Sequence, residues 1–120
     1  MSSIERRAYL RYNVSVQVIL IDKDEREFQV STRDISLGGM CIECDSMLFH
    51  ELLPEGIQTA PGDLIILNAK FNNPKTNEEF IIASHAMGVM RRAESQYTIR
   101  LSFVDINEAQ QDQLQRLLNK

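Results

Sequence analysis

The chain has 120 residues, 43% hydrophobic and 25% charged, and its 13 basic and 17 acidic residues leave a formal net charge of −4. That length suits one domain with a single core, and the mixed composition excludes a disordered chain. An acidic protein does not hold nucleic acid through bulk electrostatics, so any anion site must be a local concentration of arginine.

The first residues, Met1 to Arg7, lack the apolar core of a secretion signal. No aliphatic run is longer than the four residues of Leu64 to Leu67, far short of the roughly 20 residues of a spanning helix. No membrane insertion is expected, and a cytoplasmic location is the simplest reading. Arg6-Arg7-Ala8-Tyr9-Leu10-Arg11 then sets three guanidiniums within six residues, just before the first extended segment. From there the chain alternates with period two. Val14, Val16, Val18 and Leu20 form one face, and Phe28, Val30 and Thr32 another. Asp34-Ile35-Ser36-Leu37-Gly38-Gly39 makes a polar corner leading into the next strand, which carries Cys41 and Cys44. Ser46 to Leu53 reads as a short helix capped by Ser46 and stopped by Pro54. Ile65, Leu67, Ala69 and Phe71 alternate again, as do Tyr97, Ile99, Leu101 and Phe103. Such strands have one dry and one wet face. The tail is a helix over 107–118, with Asn107 as N-cap, Gln110 in capping-box position and an apolar stripe of Leu114, Leu117 and Leu118. The pattern predicts a mainly β protein, an antiparallel barrel of about six strands closed by a C-terminal α-helix.

Two constellations carry chemistry. Arginine presents a rigid fork that suits phosphate and the O6/N7 edge of guanine, so Arg6, Arg7 and Arg11 fit a guanine nucleotide. They equally fit a solvated basic terminus. Asp34 and Ser36, at alternating positions before a Gly-Gly corner, offer an acceptor and a hydroxyl side by side. A turn held together by the same two side chains is the other reading.

In combination, Arg7-x-x-x-Arg11 and Asp34-x-Ser36-x-x-Gly39 resemble the two motifs of the PilZ domain family, bacterial receptors for cyclic di-guanosine monophosphate (cyclic di-GMP). The resemblance continues through Gly88 to Arg92, Leu101-Ser102-Phe103 and the terminal helix. It implies one PilZ-like domain over residues 1–120. Residues 1–11 would be a flexible clamp, 12–104 a six-stranded antiparallel β-barrel, and 107–118 its helix. Arg7 and Arg11 would hold phosphates and guanine edges, Asp34 and Ser36 would contact guanine, and Gly39 would shape the corner. Arg6 resembles family members that hold two intercalated ligand molecules. Many relatives have Gly at the position of Arg100, and some have a large aromatic near Met90, where the thioether here would pack on a purine. The implied function is a non-enzymatic cyclic di-GMP receptor that signals through an ordered N-terminal clamp and an unidentified protein effector. The alternative is a ligand-independent adaptor on the same barrel.

No catalytic group, metal or cofactor is expected. Cys41-x-x-Cys44 with His50 and His85 lacks a second compact ligand pair for zinc. Three residues apart on a strand, the two cysteines face opposite ways and do not bridge. Ser84 and His85, adjacent on a strand, cannot form a nucleophile–base pair. Without Trp or a basic stacking groove, single-stranded nucleic acid is not a ligand.

Overall fold

A computed structural model describes residues 10–57 and 64–119. Six antiparallel strands close into a barrel: β1 (Gln17–Ile21), β2 (Glu27–Ile35), β3 (Gly39–Asp45), β4 (Ile66–Asn73), β5 (Glu78–Ala93) and β6 (Gln96–Phe103). The order around the wall is β1-β2-β3-β6-β5-β4, and pairing of Val18 with Phe71 and Leu20 with Ala69 closes it. The expected alternation holds. Val18, Leu20, Leu67, Ala69, Phe71, Ile99 and Leu101 are buried. Phe71 stacks on Phe80 with ring centroids 5.1 Å apart. Buried hydroxyls pair with backbone: Ser84 Oγ donates to the Leu67 carbonyl at 2.7 Å, and Thr32 Oγ1 to that of Val14 at 2.7 Å.

The first strand starts later than the valine pattern implies. Val14 and Val16 pack against the core but precede β1. The Val14 N–H turns back to the Tyr12 carbonyl at 2.9 Å, interrupting the ladder. Before that irregularity, Tyr12 makes an isolated bridge to Ile35, with N–H···O distances of 2.8 and 3.0 Å. That bridge lays the segment preceding β1 against the end of β2.

The short helix, α1 (Ser46–Leu52), is capped by Asp45 rather than by Ser46. The Asp45 carboxylate accepts from the Leu48 N–H at 2.8 Å, the bond that relieves an orphan donor of the first turn. Ser46 is already helical, and its N–H is taken by the Ser95 carbonyl. The terminal helix, α2 (Glu108–Leu118), has the expected capping box. Gln110 N–H donates to Asn107 Oδ1 at 2.7 Å, and the Asn107 N–H to Gln110 Oε1 at 2.9 Å. Its apolar stripe is buried at Leu114 and Leu118, partly so at Leu117. Gln110 Nε2 donates to the Ile81 carbonyl, and Arg116 pairs with Glu78 at 3.0 Å, tying the helix to β5. No helix among the described residues is long and apolar enough to cross a membrane.

Candidate functional site

Phe28, Val30 and Thr32 point inward along β2, so unbroken alternation would bury the carboxylate two residues on. It does not. A bulge between Thr32 and Asp34 inserts Arg33, so Thr32 pairs with Ile42 and Asp34 with Cys41. The extra residue turns Asp34 outward and returns Ile35, fully buried, to the core. A second bulge on β5, between Ala86 and Gly88, does the same there: Ala86 is buried, Met87 is the extra residue, and Gly88 pairs with Arg100. One outward row therefore crosses four strands, from Asp34 through Cys41 and Arg100 to Gly88. Adjacent strands lie about 4.8 Å apart, so the row spans about 14 Å of the wall.

Arg11 joins this row. The Tyr12–Ile35 bridge brings it beside Asp34, and its Nη1 donates to Asp34 Oδ1 at 2.5 Å. Residues 23 apart in sequence, one from each predicted motif, thus form an ion pair. The Arg11 side chain is 51% exposed and that of Asp34 22%. Both keep an open side toward solvent. Arg6 and Arg7 lie outside the described residues.

Ser36 sits inside the corner rather than on the outer wall, 3% exposed. Its hydroxyl accepts from the Gly38 N–H at 3.1 Å and donates to the Gly39 carbonyl at 3.3 Å, while its own N–H donates to that carbonyl at 2.8 Å. This is the turn chemistry that Asp-x-Ser before Gly-Gly permits. Gly39 fits because a Cβ there would overlap the Leu101 carbonyl oxygen of β6 and lie 3.2 Å from Ser102 Cα. The corner and β6 are in backbone contact.

Met90 is 54% exposed on β5, paired with Thr98 one outward position from Arg100. Cys41 and Cys44 are free thiols facing opposite ways, Cys41 out and Cys44 into the core. Burial pushes both thiols up, Cys44 to about 11 with the Asp45 carboxylate adding to it. Neither is primed as a nucleophile. Cys41, Arg100 and Gly88 are the members of the row that the two motifs do not name. Alternation with the buried Ile99 and Leu101 already turns Arg100 outward, whereas the cue for Gly88 was the bulge, and a bulge leaves no mark in the alternation until the partner strand is known. A groove of about 670 Å³ lies elsewhere, between the β1–β2 turn, the end of α1 and the start of β4. None of the described motif residues lines it.

A family model described as PilZ domain matches residues 5–120. No curated protein matches the sequence. Among solved structures, the PilZ domain of CeSA from a cellulose-synthesizing bacterium is 15% identical, with a TM-score of 0.55, covering 91% of this chain and 94% of that one. The PilZ domain of YcgR from Escherichia coli, solved with c-di-GMP, is 16% identical with a TM-score of 0.65, covering 94% and 88%. The inhibitor of motility MotI/DgrA of Bacillus subtilis is 16% identical with a TM-score of 0.66, and here the chain spans about half of its relative, 94% against 49%. At such identities the likeness is one of fold.

Proposed function

The chain belongs to the PilZ family, and from that premise we propose that it is a receptor for cyclic di-GMP, which it binds on the outer wall of the barrel across β2, β3 and β6. The observation that carries the reading is the Arg11–Asp34 pair, where the two motifs converge at one exposed point. Asp34 accepts the N–H groups of a guanine edge, and Arg11 offers its fork to O6/N7 or a phosphate oxygen. Ser36 and Gly39 contribute by holding the corner, and Met90 packs against a purine. Arg6 and Arg7 close over the ligand from the N-terminal side, and the protein–nucleotide surface so formed is what a protein effector reads. In this reading the protein acts by binding. With three arginines ahead of β1, two intercalated nucleotides, carrying twice the phosphate charge of one, are the preferred occupancy.

Isothermal titration with cyclic di-GMP tests each part. Wild type saturates near two nucleotides per chain and Arg6→Leu nearer one. Arg7→Ala and Arg11→Ala each lose about tenfold or more, the cost of one bidentate arginine contact. The Arg11 variant melts close to wild type, since an ion pair this exposed contributes about 1 kcal/mol or less. Silence from wild type at tens of micromolar protein would overturn the receptor reading in favour of the ligand-independent adaptor. A one-to-one wild type would remove only the paired-ligand reading.

A further inference from the structure

We infer that Arg100 is a direct phosphate contact at the far edge of the same site, held there by the missing side chain of Gly88; the inference rests on the receptor reading. Charge on the wall comes first. Arg11 is neutralised by Asp34, and Arg33 by Glu43 at 3.7 Å. Arg91 spends its guanidinium on the carbonyls of Ala93 and Glu94. Arg100 is exposed in the row of Asp34 and Cys41, with no carboxylate or carbonyl partner among the described residues. A dianionic ligand that reaches across from Asp34 meets its free positive charge here.

Geometry supplies the second part. Arg100 Nη2 lies 3.4 Å, and its Cζ 3.8 Å, from the point where a Cβ on Gly88 would stand. The guanidinium thus reaches away from Cys41 toward β5 and uses space that residue 88 leaves open. Gly88 has no left-handed backbone to serve, since its φ lies outside the positive region. Its smallness is steric. It faces outward only because Met87 bulges, so β5 presents a bare backbone position beneath the arginine. Arg11 with Asp34 marks one edge of the site, Arg100 over Gly88 the other, and the half-exposed Cys41 is the low floor between them. The separation suits a two-nucleotide ring rather than a single base. In these terms Arg100 is a binding residue, and Gly88 is a positioning residue that acts through it.

The test is titration of cyclic di-GMP into wild type, Arg100→Ala, Arg100→Lys, Gly88→Val and the Arg100→Ala/Gly88→Val double variant, at low and at moderate salt, with a melting curve for each. Arg100→Ala is expected to bind about tenfold more weakly, with a shallower salt dependence and an unchanged melt, because one exposed phosphate contact is gone. Lysine restores the charge but not the fork and recovers part of the loss. Valine at 88 suits a strand but puts methyls where the guanidinium rests. It is expected to cost as much as Arg100→Ala, and nothing further in the double variant. Wild-type affinity in Arg100→Ala, or full recovery by lysine, overturns the forked contact. Equal losses from Gly88→Val in both backgrounds overturn its action through Arg100. A wild type that does not bind overturns the receptor reading itself, so the two failures are distinct.

Discussion

Gly39 and Gly88 take the same substitution with opposite expected outcomes. At Gly39 an alanine Cβ overlaps the Leu101 carbonyl oxygen and crowds Ser102 Cα at 3.2 Å and Leu101 C at 3.3 Å. All three atoms are backbone, so no side chain can swing aside, and β3 must move off β6. Overpacking of this kind costs about 1–3 kcal/mol. The shift also strains two bonds of the corner, Ser36 N–H to the Gly39 carbonyl at 2.8 Å and Phe103 N–H to that of Gly38 at 3.0 Å, each worth about 1 kcal/mol. Gly39→Ala is therefore expected to lose about 2–4 kcal/mol. At about 4 °C per kcal/mol for a chain of this length, the melting temperature falls by about 8–16 °C. At Gly88 the nearest atom is the Arg100 Nη2 at 3.4 Å, the free end of a flexible side chain. Gly88→Ala should stay within about 0.5 kcal/mol of wild type, or about 2 °C. Circular dichroism melts of the three proteins decide it. The two variants melting together would refute the close-approach argument, and the Gly39 variant is also expected to lose cyclic di-GMP because the corner moves.

Two further predictions concern the core. Leu114→Ala, at a fully buried position of α2, should destabilise by about 2–5 kcal/mol in a chemical-denaturant titration, and an unchanged midpoint would mean that the helix does not seal the barrel. The Cys44 thiol, raised by burial to about 11 from an unfolded value of 9.0, stays protonated in the fold while the unfolded chain ionises. Stability should therefore be flat below pH 9 and fall between about pH 9 and 11, an effect that Cys44→Ala removes; the same slope in that variant would refute it.

The strands were legible because their signal is local. Each of Leu67, Ala69 and Phe71, or Ile99 and Leu101, reports its own side of the wall through period two alone. The terminal helix was legible for the same reason, since Asn107 and Gln110 satisfy each other within one turn. The family motifs were legible as spacing, and their convergence was implied by resemblance. The cap of α1 was missed by one residue, because Asp45 and Ser46 are both good caps and the choice fell to the Ser95 carbonyl, which engages the Ser46 N–H from another hairpin.

What the tertiary structure decided is which side chains share a surface. Inward residues at 28, 30 and 32 predict an inward carboxylate at 34, and inward residues at 80, 82, 84 and 86 predict an inward glycine at 88. Two one-residue bulges reverse both, and only pairing with β3 and β6 defines them. Ser36 likewise had two readings in sequence, ligand contact or turn, and its hydroxyl is engaged within the turn, with the Gly38 N–H and the Gly39 carbonyl. Register across strands is a relation between segments far apart in the chain. A row such as Asp34, Cys41, Arg100 and Gly88 is therefore invisible in any one of them and exists once the barrel closes.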